Sequence, residues 1–296
     1  GRTPLFYAGW ESVVSFLIDS GAEVNARDNE GVTYLLEAVE REEIEIVMSL
    51  LQHGADVNVV RTASDGASAL DIAVQMQSAP IVDLLLGHGA PVDGLPFQEI
   101  APIQNAYHNY ELLEVLLRHG ASIEGNPGAP SPLARILANA LGPGTDPYNV
   151  VEEIQRITLL LLSHGAKASF PFLISGMRAL DQEAFGLLLE RTGYSKDDPS
   201  NPFPEYTSKE EALSYLLWEA CSIGVAPIVE LLVNAGADVN HLVVAQETLF
   251  PSPLLAAIAY NDYLIEFLLK VPHAHMHTSS LSLSLSLSLS LSLSLF

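Results

Sequence analysis

Cysteine is nearly absent: Cys221 is the only one in 296 residues. A disulfide framework is therefore impossible, and a reducing compartment fits. Basic residues are scarce too, with 13 Lys and Arg against 36 Asp and Glu and a formal net charge of -23. Proteins neutralise phosphates with Lys and Arg. Nucleic acid and anionic membrane surfaces are therefore poor partners, and a basic protein surface is the better one. No uninterrupted apolar run is long enough to cross a bilayer, so no membrane insertion is expected. The first residues lack the pattern of a secretory signal. The expected setting is intracellular, cytoplasmic or nuclear. Because residue 1 is Gly rather than Met, the expectation is that the chain starts inside a longer protein.

Chemical signatures are also missing. The sequence has no phosphate loop, no Gly-x-Ser-x-Gly elbow, no zinc-type Cys/His spacing and no calcium loop. No enzyme activity, cofactor or metal is expected, and no residue is assigned as catalytic, cofactor-binding or metal-ligating. Cys221 lies in an apolar helical stretch and reads as a small core residue. His53, His88, His119 and His164 each precede a turn glycine. As equivalent residues on stacked helices they stand roughly 8–10 Å apart, too far to share a metal. Their expected role is polar, at a helix C-terminus, where the dipole favours a protonated ring.

What the sequence does contain is one phrase, repeated. "LLQHGADVN", Leu50 to Asn58, returns as "FLIDSGAEVN", "LLLGHGAPVD", "LLRHGASIE", "LLLSHGAKAS" and "LLVNAGADVN". The glycines are Gly21, Gly54, Gly89, Gly120, Gly165 and Gly236. The first four are spaced by roughly 33 residues, the mark of a stacked helical array. In the clearest copy, Thr33 is the expected N-cap of a first helix. Ile44, Val47, Leu50 and Leu51 then form one apolar stripe on a second helix. Gly54 stops that helix in a left-handed cap. One such pair cannot bury its stripe alone; stacked neighbours bury it.

These features resemble the ankyrin-repeat family, whose pattern is Gly-x-Thr-Pro-Leu-His, a first helix, a Gly turn, a second helix ending Leu-Leu, then Gly-Ala-Asp-Val-Asn. The opening appears here as "GRTPLFYA", "GVTYLLEA", "GASALDIA", "APIQNA", "SPLARI" and "SPLLAA". The resemblance covers residues 1–271. It implies an all-α solenoid of stacked helix-turn-helix units with loop or β-turn connections, about eight in number. The sixth is degenerate, with "LLLERTG" ending at Gly193. The first helix of the first unit is short by most of a turn, and the fourth unit is also short. Insertions near 138–150, including "LGPGTDPYN", and near 194–209 read as loops.

Residues 272–296 break the pattern. A His-rich stretch with His273, His275 and His277 leads into strict Ser-Leu alternation. Dinucleotide repeats of CT and CA translate into such peptides, so this segment is expected to be disordered or translated non-coding sequence.

The resemblance implies protein binding without catalysis, through turn tips and a concave face of first helices. The candidate contact residues are Arg27, Asp28 and Glu30; Arg61 and Asp65; Leu95 and Phe97; His241, Leu242 and Val244. Apolar tips such as Phe97 and Val244 are the more informative. The acidic run from Glu37 to Glu45 is expected to be a solvated edge, with docking of a basic partner as its other use. A different class of reading makes the array the regulatory or targeting segment of a larger enzyme or signalling receptor.

Overall fold

A computed structural model describes residues 1–61, 66–96, 98–139, 147–193, 208–241, 244–245, 248–249, 253–258 and 262–271. The chain divides into two compact regions, Gly1–Ala166 and Lys167–Phe296. In the first, a 3-10 turn at Pro4–Tyr7 precedes α1 (Glu11–Asp19), α2 (Tyr34–Glu40), α3 (Ile44–Gln52), α4 (Ala69–Gln75), α5 (Ala79–Gly87), α6 (Pro102–Asn105), α7 (Tyr110–Arg118), α8 (Pro132–Asn139) and α9 (Pro147–Ser163). The second holds α10 (Phe170–Ala179), α11 (Gln182–Arg191), α12 (Lys209–Ile223), α13 (Ala226–Asn234), α14 (Pro253–Ile258) and α15 (Asp262–Leu269). Each is a ladder of helix pairs. In the first region, α2, α4, α6 and α8 stack as an inner row, and α1, α3, α5, α7 and α9 as an outer row. In the second, α10, α12 and α14 form the inner row, with α11 beside α13 in the outer one. Each region is thus all-α and built of stacked helix pairs, as the resemblance implies, and the second adds a two-residue antiparallel hairpin of β1 (Val244–Ala245) and β2 (Thr248–Leu249).

The repeated phrase is a helix stop. The Gly54 N–H donates to Leu51 O (3.1 Å) and the Ala55 N–H to Leu50 O (2.9 Å). That is the paired bonding of a Schellman cap, which satisfies two carbonyls the helix would otherwise strand. Gly54 takes φ +82°, a conformation that costs any residue with a Cβ. Leu50 is fully buried and Leu51 nearly so, so the Leu-Leu pair fills the core beside the stop. The polar end of the phrase joins one repeat to the next. Asn25 Oδ1 accepts from the Asp56 N–H (2.8 Å), and Asp93 Oδ1 accepts from the Ser122 N–H (2.7 Å).

The histidines before these glycines cap their own helices. Nδ1 of His53 lies 2.7 Å from Ser49 O, that of His88 2.8 Å from Leu84 O, and that of His164 2.9 Å from Leu160 O. Each ring donates to a last-turn carbonyl. His119 instead meets the Asp83 carboxylate of the preceding outer helix, Nε2 to Oδ1 at 2.7 Å.

Four local expectations need correcting. Thr33 stands at the N-cap of α2, but its hydroxyl makes no cap bond and is buried without a partner; the complete capping box is at Ser68 and Asp71. Ile44 belongs less to the buried stripe than Ile46, which is 5% exposed. In the fifth repeat, Pro147 to Asn149 belong to α9, because proline is well suited to a first helical turn; positions 140–146 lie outside the described residues. In the sixth repeat, α10 and α11 form the expected pair, but Gly193 is not left-handed. Thr192 ends α11 in extended conformation and bridges Ala168 in parallel.

Candidate functional site

Among the described residues, inner helices and turn tips of the first compact region line two of its grooves. The first, about 530 Å³, is lined by Arg2, Glu30, Val32, Glu37, Glu40, Arg41 and Arg61. Its centre is Glu37 on α2, which is only 6% exposed and therefore not the solvated edge its sequence context suggests. A buried carboxylate needs cationic partners. Glu37 Oε1 accepts from Arg2 Nη1 (3.0 Å) and from Arg41 Nη2. Arg2 Nε also lies 3.4 Å from Asp28 Oδ2, and Arg61 pairs with Glu40. The attraction of Glu37 raises the Arg2 pKa further above its ordinary value.

Of the tip residues, Asp28 builds the turn. Its Oδ1 accepts from the N–H groups of Glu30 (2.9 Å) and Val32 (3.0 Å). Burial works against its ionisation, but those two backbone bonds and the Arg2 charge outweigh it and hold the carboxyl below its usual range. Arg27 is exposed and donates to Gly31 O (2.8 Å) within its own tip and to Val60 O (3.5 Å) in the next. Arg27, Asp28, Glu30 and Arg61 thus gather at one end of the inner face, and Glu30 and Arg61 line the groove.

The second groove, about 760 Å³, opens between two successive tips. One wall is formed by Asp93–Pro96 and Gln98–Ile100 and includes the predicted Leu95; the other is Asn126 to Pro130; Arg135 on α8 completes the lining. Gln104, in the position where the family pattern has His, fixes the second tip. Its amide is fully buried. Oε1 accepts from Ala101 N (2.8 Å) and Asn126 N (3.1 Å), while Nε2 faces Ala129 O and Pro130 O (each 3.2 Å). A Cβ on Gly125, at φ +69°, would run into that amide. Gln98 laces the two tips: its Oε1 accepts from Leu95 N (2.6 Å), and its backbone oxygen accepts from Asn126 Nδ2 (3.0 Å). Arg135 Nη1 donates to Gln104 O (2.7 Å) and Asn105 Oδ1 (3.1 Å), with its guanidinium 5.4 Å from the Tyr107 ring centre.

Gln104 and Arg135 were not among the residues singled out from sequence. Gln104 was visible as the last residue of the "APIQ" opening, but nothing in one sequence says that an amide there reaches the following tip. His241, in the second region, is half-buried, and its N–H donates to Asp238 O (3.3 Å). Asp65, Phe97 and Leu242 lie outside the described residues, as do His273, His275 and His277. Val244 is described only as backbone of β1.

Among the described residues, no three His, Cys, Asp or Glu side chains are grouped to hold a metal ion. Burial pushes the Cys221 thiol up to about 12, which suppresses the reactive thiolate. No described helix is long and apolar enough to cross a membrane.

These grooves lie between successive tips on a ladder of helix pairs, and part of the chain is similar in sequence to known repeat proteins. Residues 5–94 match the family model for ankyrin repeats, in three copies; the chain carries ankyrin repeats. It is 38% identical over 87 residues to the ankyrin repeat and KH domain-containing protein mask of Drosophila melanogaster, covering 29% of this chain and 2% of that protein. It is 40% identical over 83 residues to human BCL-6 corepressor-like protein 1, covering 28% of this chain and 4% of that protein. A third match, 41% over 71 residues, is to human 2-5A-dependent ribonuclease, covering 24% of this chain and 9% of that protein. The chain thus spans less than a tenth of these relatives. Ankyrin repeats are generally protein-interaction modules.

Proposed function

We propose that this chain is a non-catalytic protein-binding module that engages its partner through turn tips and the inner-helix face. The observation that carries the reading is the pair of grooves, each walled by tip residues and floored by an inner helix. Their walls are held by side-chain bonds within and between repeats, so little order has to be gained on binding. The net charge of -23 favours a partner with a basic surface, which such a field attracts. A second reading rests on the comparisons: since the matched segment is a small part of each relative, the array serves as the targeting or regulatory segment of a larger protein. The two readings share one physical act, capture of a protein.

The test is affinity capture from an extract by the full chain, with the bare matrix as the control and mass spectrometry as the readout. A protein retained by the wild type, and released when Arg61 and Glu40 are both replaced by alanine or when Ile100 is replaced by glutamate, supports the reading. Retention indistinguishable from the bare matrix would refute it.

A further inference from the structure

The groove between the third and fourth tips is lined by a cation, Arg135. Arg135 takes part in no ion pair among the described residues, whereas the arginines of the other groove are all bonded to carboxylates. Its guanidinium is nonetheless fixed, by Gln104 O, by Asn105 Oδ1 and by the Tyr107 ring. Both bonds use Nη1. The edge formed by Nε and Nη2 makes no hydrogen bond among the described residues, and that edge is the side-on fork that grips a carboxylate with two parallel bonds.

The walls suit an extended chain. Pro96, Pro127 and Pro130 line the groove with Leu95 and Ile100. Prolines offer no backbone N–H, so the walls give shape and apolar contact more than hydrogen bonds. Ile100 is 38% exposed, an apolar side chain open to solvent at the rim. Asp93 and Glu99 also line the groove, and Asp93 Oδ1 is taken by the Ser122 N–H. Their charge disfavours a run of acidic residues and tolerates one carboxylate seated directly on the guanidinium.

Building on the protein-binding reading, we propose that this groove seats an extended segment of the partner protein carrying a single acidic side chain, which Arg135 receives. Residues flanking that carboxylate are apolar or basic. The segment packs its apolar side chains on Leu95, Ile100 and the wall prolines. Long-range attraction of a basic partner and short-range recognition of one carboxylate are compatible, because the first depends on the summed field and the second on a desolvated contact.

The test uses a positional-scanning library of amino- and carboxy-blocked peptides, selected on the full chain and on three variants: Arg135→Gln, Arg135→Lys and Ile100→Glu. Asp or Glu should be enriched at one position, with Lys, Arg or apolar residues beside it. Arg135→Gln should weaken the selected peptide about tenfold or more and abolish the Asp/Glu preference. Arg135→Lys should keep the preference at reduced affinity, since a point charge replaces the fork. Ile100→Glu, which removes no hydrogen bond, should weaken binding with an unchanged melting curve, separating recognition from folding. Enrichment of basic residues at that position, equal binding by Arg135→Gln, or displacement by inorganic phosphate alone would overturn the proposal. Peptides insensitive to Arg135 and Ile100 but lost on replacing Glu40 and Arg61 would overturn the groove and leave the module reading standing. Failure to select any peptide or capture any protein would remove both.

Discussion

Replacing Gln104 by Leu keeps the volume of the side chain and deletes its hydrogen bonds. The wild-type amide accepts from Ala101 N and Asn126 N and faces two tip carbonyls at 3.2 Å. The residue has no exposure to solvent, so the groups around it find little water in its place. A buried donor left without a partner costs about 1–3 kcal/mol. Ala101 N is the more deeply buried of the two donors and takes the larger share; Asn126 N and the carbonyls, part-buried, add about 1–2 kcal/mol together. The leucine recovers about 1 kcal/mol through apolar burial. The expected net loss is about 1–4 kcal/mol, concentrated in the tip from Glu124 to Pro130. Urea unfolding followed by circular dichroism measures the total. Hydrogen exchange locates it: protection of the Asn126 amide should fall roughly a hundredfold, since each tenfold corresponds to about 1.4 kcal/mol. A loss below about 0.5 kcal/mol, with Asn126 protection unchanged, would show that the amide does not hold the tip.

Gly54→Val should cost about 1–2 kcal/mol or more through left-handed strain alone, because nothing lies within 4 Å of a Cβ there; His53→Gln should cost under about 1 kcal/mol. Equal melting losses for the two would contradict the turn assignment. Burial, reinforced by the Glu43 charge, pushes the Tyr34 phenol from 10.0 up to about 12. Its neutral form therefore supports folding fully below pH 10, and that support is lost as pH rises through 12. Tyr34→Phe should flatten the alkaline fall of stability in that window, read by urea unfolding at stepped pH; an unchanged slope would argue against it. Cys221, fully buried, should react with a thiol reagent at pH 8 only as fast as the second region unfolds, and rapid labelling of the native chain would refute that burial. Finally, association with a captured basic partner should slow as salt rises, because the Debye length falls from about 10 Å at 0.1 M to 3 Å at 1 M. A salt-insensitive association rate would refute steering by net charge.

The helix pairs, their stops and their order were legible because they rest on local rules. A left-handed glycine after two leucines and a polar residue ending the phrase recur whatever the neighbouring repeat contains. The register of that phrase fixed which residues lie in tips, so Glu30, Arg61 and Leu95 could be named before their grooves were known. Burial of Glu37 was not legible. The run "EAVEREEIE" looks solvated, and only the placement of Arg2, from the first repeat, and Arg41 makes a buried carboxylate there affordable. Gln104 and Arg135 were hidden for the same reason: each acts on a neighbouring repeat, over 20 to 31 positions of sequence. The stop at Thr192 was not legible, because the bridge to Ala168 that holds the chain there joins residues 24 positions apart.

The reach of Gln104 has a consequence for how such arrays diverge. Its side chain belongs to the fourth repeat, yet the backbone it shapes, Glu124 to Pro130, leads into the fifth. The fourth repeat therefore carries part of the instructions for its neighbour's loop. Duplicating, deleting or transplanting one of these repeats moves half of an instruction and leaves the other half behind. Inheritance in this stretch acts on the junction, and a chimera that exchanges repeats at their apparent boundaries should preserve every helix and still lose the tip.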